Sequence, residues 1–263
     1  MAVFCSVPTN WVYPLGAPLC PYDREDTSPR ALFVLGAYPS ALHVRWVPPG
    51  GGHGIRALPV DNEPEPFWNG ERLAEHFEAW KERDEVSIIG DVAPAPELNG
   101  PSGTALDARY LKALDFTRTD AWIADSLPLY CQSEGVEKAL ARTKFSNLML
   151  AQCAPVPNLP KHPTERQIIT QAVSRHVAIR DELAASRAST VITLGNAALA
   201  VLHAALDLNG RPAKLRRDRD YGAPVELSVP HRARWYALAH PGVLEKNTEW
   251  SQAHAAWEAT HQG

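Results

Sequence analysis

The sequence predicts an α/β fold: three layers, α/β/α, around a central and mainly parallel sheet of four strands. Three observations predict it. Short apolar runs recur along the chain, at ALFVLG (31–36), DAWIAD (120–125), STVITLG (189–195) and RWYALAH (234–240). They are nearly continuous in apolar residues, as strands covered on both faces are. Helical patterns fall between them, and strands alternating with helices argue for a parallel sheet with helices on both faces.

Residues 1–30 are Pro-rich and aperiodic, and read as an N-terminal arm before a single domain over 31–263. The first strand ends at Gly36, which feeds a tight turn. PPGGGHG (48–54) must be a loop. Leu73, Phe77 and Trp80 have helical spacing, giving a helix over about 70–83. VSIIG (86–90) reads as a short strand and 91–103 as a Pro/Gly-rich connection. Leu106, Tyr110, Leu111 and Leu114 mark a helix over about 104–115. After the strand ending at Asp125 comes a Pro-containing loop, then a helix over 134–144 and a rigid loop over 155–164. Thr164, with Glu165 in the first turn, opens a long helix to about 187 carrying His176, Ile179 and Leu183. NAALAVLHAAL is the helix fed by the third strand. Residues 209–222 form a charged loop and VELSV an edge strand. The last helix, about 248–260, carries Trp250 and Trp257.

Composition bounds the function. The 263 residues are 45% apolar and 21% charged, with a net charge of −4, which describes a folded chain and excludes disorder or coiled coil as a description of the whole. A protein that coats nucleic acid by charge alone is usually basic, so any DNA contact must rest on local patches. There is no run of ~18 apolar residues and no basic segment leading into an apolar one at the start, so neither a spanning helix nor a signal peptide is expected. A cytoplasmic monomer without membrane partners is the expectation. Four cysteines, at 5, 20, 131 and 153, form no C-x-x-C pair and read as free thiols in a reducing compartment.

Ligands of open parallel sheets bind beyond the carboxyl ends of the strands. Three strand ends carry unusual residues: Gly36–Ser40, Asp125–Pro128 and His240–Gly242. If the strands are parallel, these turns converge on one crevice.

In this order the motifs resemble the uracil-DNA glycosylase superfamily, most closely its microbial iron–sulfur branch. Gly36-Ala37-Tyr38-Pro39-Ser40 stands where that branch has a motif such as G-E-A-P-G, and Pro66-Phe67-Trp68-Asn69-Gly70 where it has P-F-V-G. The strand ending at Asp125 matches one ending in Asn. Pro157, Asn158, Pro163 and Glu165 match a Pro/Asn loop and helix, VITLGNAAL a strand–helix motif, and His240-Pro241-Gly242 the closing H-P-S. The resemblance spans about residues 31–258. It departs at the cysteines. Only Cys153 falls near a position of the branch's four cluster ligands, so no metal and no cofactor are expected.

The resemblance implies a three-layer, uracil-DNA glycosylase-like fold and a monofunctional DNA glycosylase. Such an enzyme hydrolyses the N-glycosidic bond of a flipped pyrimidine and leaves an abasic site. The base must leave the stack for a pocket, its growing negative charge must be stabilised, and the cationic sugar must meet a carboxylate or an activated water. His240 is the candidate for the second task, donating from a neutral imidazole to the base O2. Gly36, Ala37, Tyr38 and Ser40 would shape the base pocket, and Phe67 would stack on the base. Asp125 stands where uracil-specific relatives have Asn. An ionised Asp only accepts, so it suits the N4 amino group of cytosine and repels uracil O4, whereas an Asp protonated by burial could still donate. Ser40 leaves room for a substituent at C5. Tyr38 cannot activate water, so the acid must come from DNEPEPFWNGE (61–71), where Glu63 and Asp61 are the candidates and Asn62 a water-positioning amide. Leu244 takes the place of the family's apolar wedge. Lys161, Arg216, Arg217 and Arg232 are candidate phosphate contacts.

The target is then a C5-modified cytosine, for example glucosylated hydroxymethylcytosine in phage DNA, with antiviral defence as the role. Uracil excision in base-excision repair and a non-catalytic nucleic-acid binder of the same fold are the alternatives. A nucleotide-cofactor enzyme would need G-x-G-x-x-G opening a helix, which both strong strands lack.

Overall fold

A computed structural model describes residues 11–210, 214–219 and 221–261. In chain order the elements are β1 (Leu32–Gly36), β2 (Ala41–Val47), β3 (Ile55–Asn62), α1 (Leu73–Lys81), β4 (Asp91–Pro94) and α2 (Pro101–Ala105). A π-helical turn, Leu106–Leu111, and a 3-10 turn, Lys112–Leu114, continue α2. Then follow β5 (Ala121–Asp125), α3 (Glu134–Arg142), α4 (Phe145–Ala151), α5 (Glu165–Gln171), α6 (His176–Ser186), β6 (Thr190–Leu194) and α7 (Asn196–Ala205). β7 (Val225–Leu227), β8 (Ala233–Leu238), α8 (Pro241–Leu244) and α9 (Thr248–Ala259) complete the described chain.

The expectation of an arm and one domain meets a different grouping. The chain divides into two compact units, one of residues 1–22, 39–101 and 129–162, the other of 23–38, 102–128 and 163–263.

The second unit is the α/β part. Its sheet has the order β5-β1-β6-β8-β7. The first four strands are parallel, and β7 pairs antiparallel with β8 at the edge. The expected parallel strands are all present, but the sheet has five strands, not four, because VEL joins its edge. Leu32, Phe33, Val34 and Leu35 have no exposed surface, as a central strand covered on both sides requires. Helices cover both faces. Trp122 donates from Nε1 to Glu182 of α6 at 3.3 Å, while Tyr236, of opposite parity in the same register, meets Trp257 of α9 edge-on at 6.1 Å. The right-handed crossover rule demands this split. The chain moves one way from β1 to β5 and the other way from β5 through β6 to β8.

The long helix expected from Thr164 is real at its start. Thr164 caps it, with Gln167 closing a capping box. It breaks at residues 172–175 into a 3-10 turn, where Ser174 bonds back to the carbonyl of Gln171 at 3.2 Å.

The first unit is built on a three-stranded antiparallel sheet, β3-β2-β4, that the sequence reading lacks. Residues 48–54 are the hairpin loop between β2 and β3. Leu42, Val44 and Trp46 alternate inward with the outward Arg45 and Val47. The core also takes Tyr13, Leu15, Ala17 and Leu19, so the described part of the expected arm is interior to this unit. The expected strand at 86–90 is irregular: Ser87 donates to the Leu15 carbonyl, and the strand lies next door at 91–94.

Gly100 holds one loop of this unit in place. It has φ +87°, and a Cβ there would strike the backbone of Asn69 and Gly70. Gly100→Ala is therefore expected to destabilise the protein by at least about 2 kcal/mol, combining left-handed strain with a backbone clash. The urea midpoint measures it; an unchanged midpoint would show that the 69–70 loop yields freely.

Candidate functional site

The two units each hold part of the sequence-predicted set. In the α/β unit, Gly36 pairs in register with Asp125 at the carboxyl end of the sheet. The β1 turn is tied to the end of β5 three times. Ser126 donates to the Gly36 carbonyl from its backbone N–H at 3.0 Å and its hydroxyl at 2.7 Å, and the Leu127 N–H donates to the Ala37 carbonyl at 2.9 Å. Asp125 is 7% exposed and Ser126 fully buried. Pairing of Leu194 with Leu238 places the end of β8 at the same edge of the sheet.

His240 lies two residues past β8 and caps α8, with Pro241 as the first helical residue. Its Nδ1 accepts the Gly242 N–H at 3.1 Å. Burial, aided by the charge of Lys246, pushes the imidazole pKa down to about 4. A neutral ring whose Nδ1 accepts must carry its proton on Nε2. His240 is thus a fixed Nε2–H donor at neutral pH.

In the other unit, Glu63 follows β3. Its carboxylate accepts from the Ser40 N–H at 2.8 Å and from the backbone N–H groups of Phe67 and Trp68. Phe67 reaches this geometry with φ +54°, a left-handed conformation unusual for an aromatic residue. Burial dominates over these hydrogen bonds and pushes the Glu63 pKa up to about 7. A carboxyl group poised near neutrality is suited to take a proton from water.

The neighbouring candidates are engaged elsewhere. Asp61 pairs with Arg83 at 3.0 Å, and burial raises its pKa. The Asn62 side-chain oxygen accepts from the Tyr13 hydroxyl at 3.3 Å. Both lie at the end of β3. Phe67 is 7% exposed and packed.

The expected DNA contacts fare unevenly. Leu244 is 4% exposed: α8 packs on α9 and turns this side chain inward. It cannot enter a duplex without leaving that packing; the exposed apolar side chain of α8 is Val243, at 40%. Lys161 pairs with Glu137 at 2.9 Å, Arg217 with Glu249, and Arg232 with Glu226 at 3.6 Å. Arg216 is exposed. Such surface pairs are weak and can be exchanged for phosphate at little cost.

Cys20 and Cys153 are exposed and Cys131 is buried, all as free thiols, while Cys5 lies outside the described residues. Among the described residues, no group of three His, Cys, Asp or Glu side chains is arranged to hold a metal ion, and no helix is long and apolar enough to cross a membrane. No protein-family model matches the chain, and comparison with curated proteins finds no relative.

Proposed function

We propose that the protein is a monofunctional DNA glycosylase of uracil-DNA glycosylase-like fold, acting on a flipped cytosine-type pyrimidine with a substituent at C5. The observation that carries the proposal is the state of His240: neutral, with Nδ1 accepting the Gly242 N–H and the ring proton therefore on Nε2. A donor fixed in advance is what a base needs as its N1 takes up the electrons of the breaking bond and spreads them to O2. An imidazolium would transfer its proton; a neutral ring stabilises the anion without doing so.

The strand order supports the pairing with Asp125. From β5 to β8 is three strand spacings, roughly 14 Å at ~4.8 Å each. A pyrimidine, with a hydrogen bond and a side chain at either end, fills such a gap. Asp125 then accepts from the N4 amino group while His240 donates to O2. Water attacks the sugar C1′ as the C1′–N1 bond breaks, and its proton passes to a carboxylate; Glu63, whose raised pKa suits that task, is the candidate that the sequence names for it. The tied Gly36–Ala37 turn makes room beside C5. Phage DNA carrying hypermodified cytosine is the proposed substrate, antiviral defence the proposed role, and Val243 takes over the position proposed for Leu244.

The test incubates the protein with phage DNA containing modified cytosine, unmodified DNA and uracil-containing DNA. Released bases are read by mass spectrometry and abasic sites by alkaline cleavage. Release of the modified base alone is expected. Release of uracil alone would transfer the protein to repair, and release of nothing would leave a binder. His240→Asn keeps an acceptor for the Gly242 N–H but removes the Nε2–H donor, so it should fold normally and lose about 100- to 1,000-fold in single-turnover rate. A loss under tenfold would remove His240 from the chemistry.

A further inference from the structure

We propose that Tyr221, backed by His254, and Tyr110 are positioning residues that lock the backbone on both sides of the Ala239 Cα and thereby orient His240; the functional value of this rests on the role given to His240 above. Ala239 is 3% exposed and immediately precedes His240. Both its polar backbone atoms are held by tyrosine hydroxyls. Its N–H donates to the Tyr221 oxygen at 3.1 Å, and its carbonyl accepts from the Tyr110 hydroxyl at 2.7 Å. With one polar atom of each of the two peptide groups flanking the Ala239 Cα held, and Pro241 following His240, the backbone that carries His240 has little freedom.

Behind Tyr221 stands a buried histidine. The Tyr221 hydroxyl is 2.7 Å from His254 Nδ1, and His254 Nε2 is 3.4 Å from Glu258 Oε1. Glu258 also accepts from Arg109 Nε at 2.8 Å. The His254 side chain has no exposed surface, and burial together with the Arg109 charge pushes its pKa down to about 4. The roles in the Tyr221–His254 bond depend on the imidazole tautomer, and in either tautomer the Tyr221 oxygen keeps a lone pair for the Ala239 N–H. The Tyr110 ring lies 4.3 Å from the His254 ring and the Trp257 ring 5.1 Å away, so the chain cannot swing aside.

The geometry is more than packing requires. An apolar side chain at 254, between Trp250 and Trp257 on the same face of α9, would fill the space at lower desolvation cost. A buried histidine there serves the tyrosine in front of it.

The test reads His240 itself. In protein labelled with 15N-histidine, the two ring nitrogens of His240 report its tautomer and the bond to the Gly242 N–H, without substrate. Tyr221→Phe is expected to shift those resonances and to lower the single-turnover excision rate 10- to 100-fold, with KM changed less than twofold. His254→Asn, whose side-chain oxygen can stand near the Nδ1 position, should restore at least a third of the rate; His254→Leu should behave like Tyr221→Phe. Trp250→Leu damages the same aromatic cluster, whose Trp250 and Tyr221 rings lie 5.8 Å apart, but leaves the hydroxyl, and should leave the His240 resonances in place. Unchanged His240 resonances in Tyr221→Phe, or an equal shift in Trp250→Leu, would overturn the proposal. If Tyr221→Phe fails to fold, the two His254 variants decide it by the same spectrum. If the wild type releases no base, the spectrum still decides the positioning role, and only the catalytic reading of His240 is lost.

Discussion

On the proposed function, Asp125→Asn is expected to shift excision from a cytosine-type base toward uracil. A carboxylate accepts and does not donate, so it can meet the N4 amino group of cytosine but not the O4 of uracil. An amide in the same place offers N–H to O4 and accepts from N3–H. The exchange is nearly isosteric, and the site is rigid: Asp125 is 7% exposed, in register with Gly36, and followed by Ser126 with two hydrogen bonds to the Gly36 carbonyl. The new side chain should therefore occupy the old position. Sites that hydrogen-bond a polar group reject an analogue that leaves them unpaired by up to about 10,000-fold. The ratio of single-turnover rates on matched modified-cytosine and uracil oligonucleotides should move by at least about 100-fold toward uracil. A ratio that stays constant while both rates fall would show that Asp125 shapes the turn and does not read the base.

The α/β unit was legible because its signals are local and strong. The apolar runs at β1, β5, β6 and β8 can sit only in a sheet covered on both faces, and the helices between them dictate parallel strands. The turns at Gly36, Asp125 and His240 then had to share one edge. The first unit was harder to read. β2 carries a clean alternation of Leu42, Val44 and Trp46 with His43, Arg45 and Val47, but three glycines and two prolines follow it and suggest loop. Gly50, Gly51 and Gly52 all have positive φ and are the hairpin connection itself. Tyr13, Leu15, Ala17 and Leu19 are buried through non-local contacts that no period announces. At the site, Glu63 could be named from its place in the chain, but not its three backbone donors, since these come from residues 40, 67 and 68. Leu244 was misplaced because sequence counts positions after His240, whereas the helical turn begun by Pro241 decides which of Val243 and Leu244 faces out. His254 left a signal that could have been used: a polar residue four after Trp250 and three before Trp257, on the buried face of its helix.

Glu63→Gln separates catalysis from stability in opposite directions. The amide oxygen of Gln can still accept from the backbone N–H groups of Ser40, Phe67 and Trp68, so the loop should keep its shape. It cannot take a proton from water, and excision should fall about 100- to 10,000-fold. In the wild type, kcat/KM should rise with pH through an apparent pKa of about 7, since below it the carboxyl group is protonated and cannot act as base. His240, with its pKa near 4, should add no step between pH 5 and 8. Stability moves the other way. An unfolded Glu loses its proton near 4.5, whereas folded Glu63 holds it to about 7. Between these values the native chain binds the extra proton, so wild-type stability falls as pH rises from about 4.5 to 7 and is unaffected by this group above. Glu63→Gln removes that loss. It should match the wild type near pH 4.5 and be more stable by on the order of 2 kcal/mol at pH 8, as measured by urea unfolding at both values. A carboxyl group kept where it destabilises the fold at working pH is one the fold retains for chemistry. Equal stability of the two proteins at pH 8, or full excision by the glutamine variant, would show that Glu63 only closes its loop.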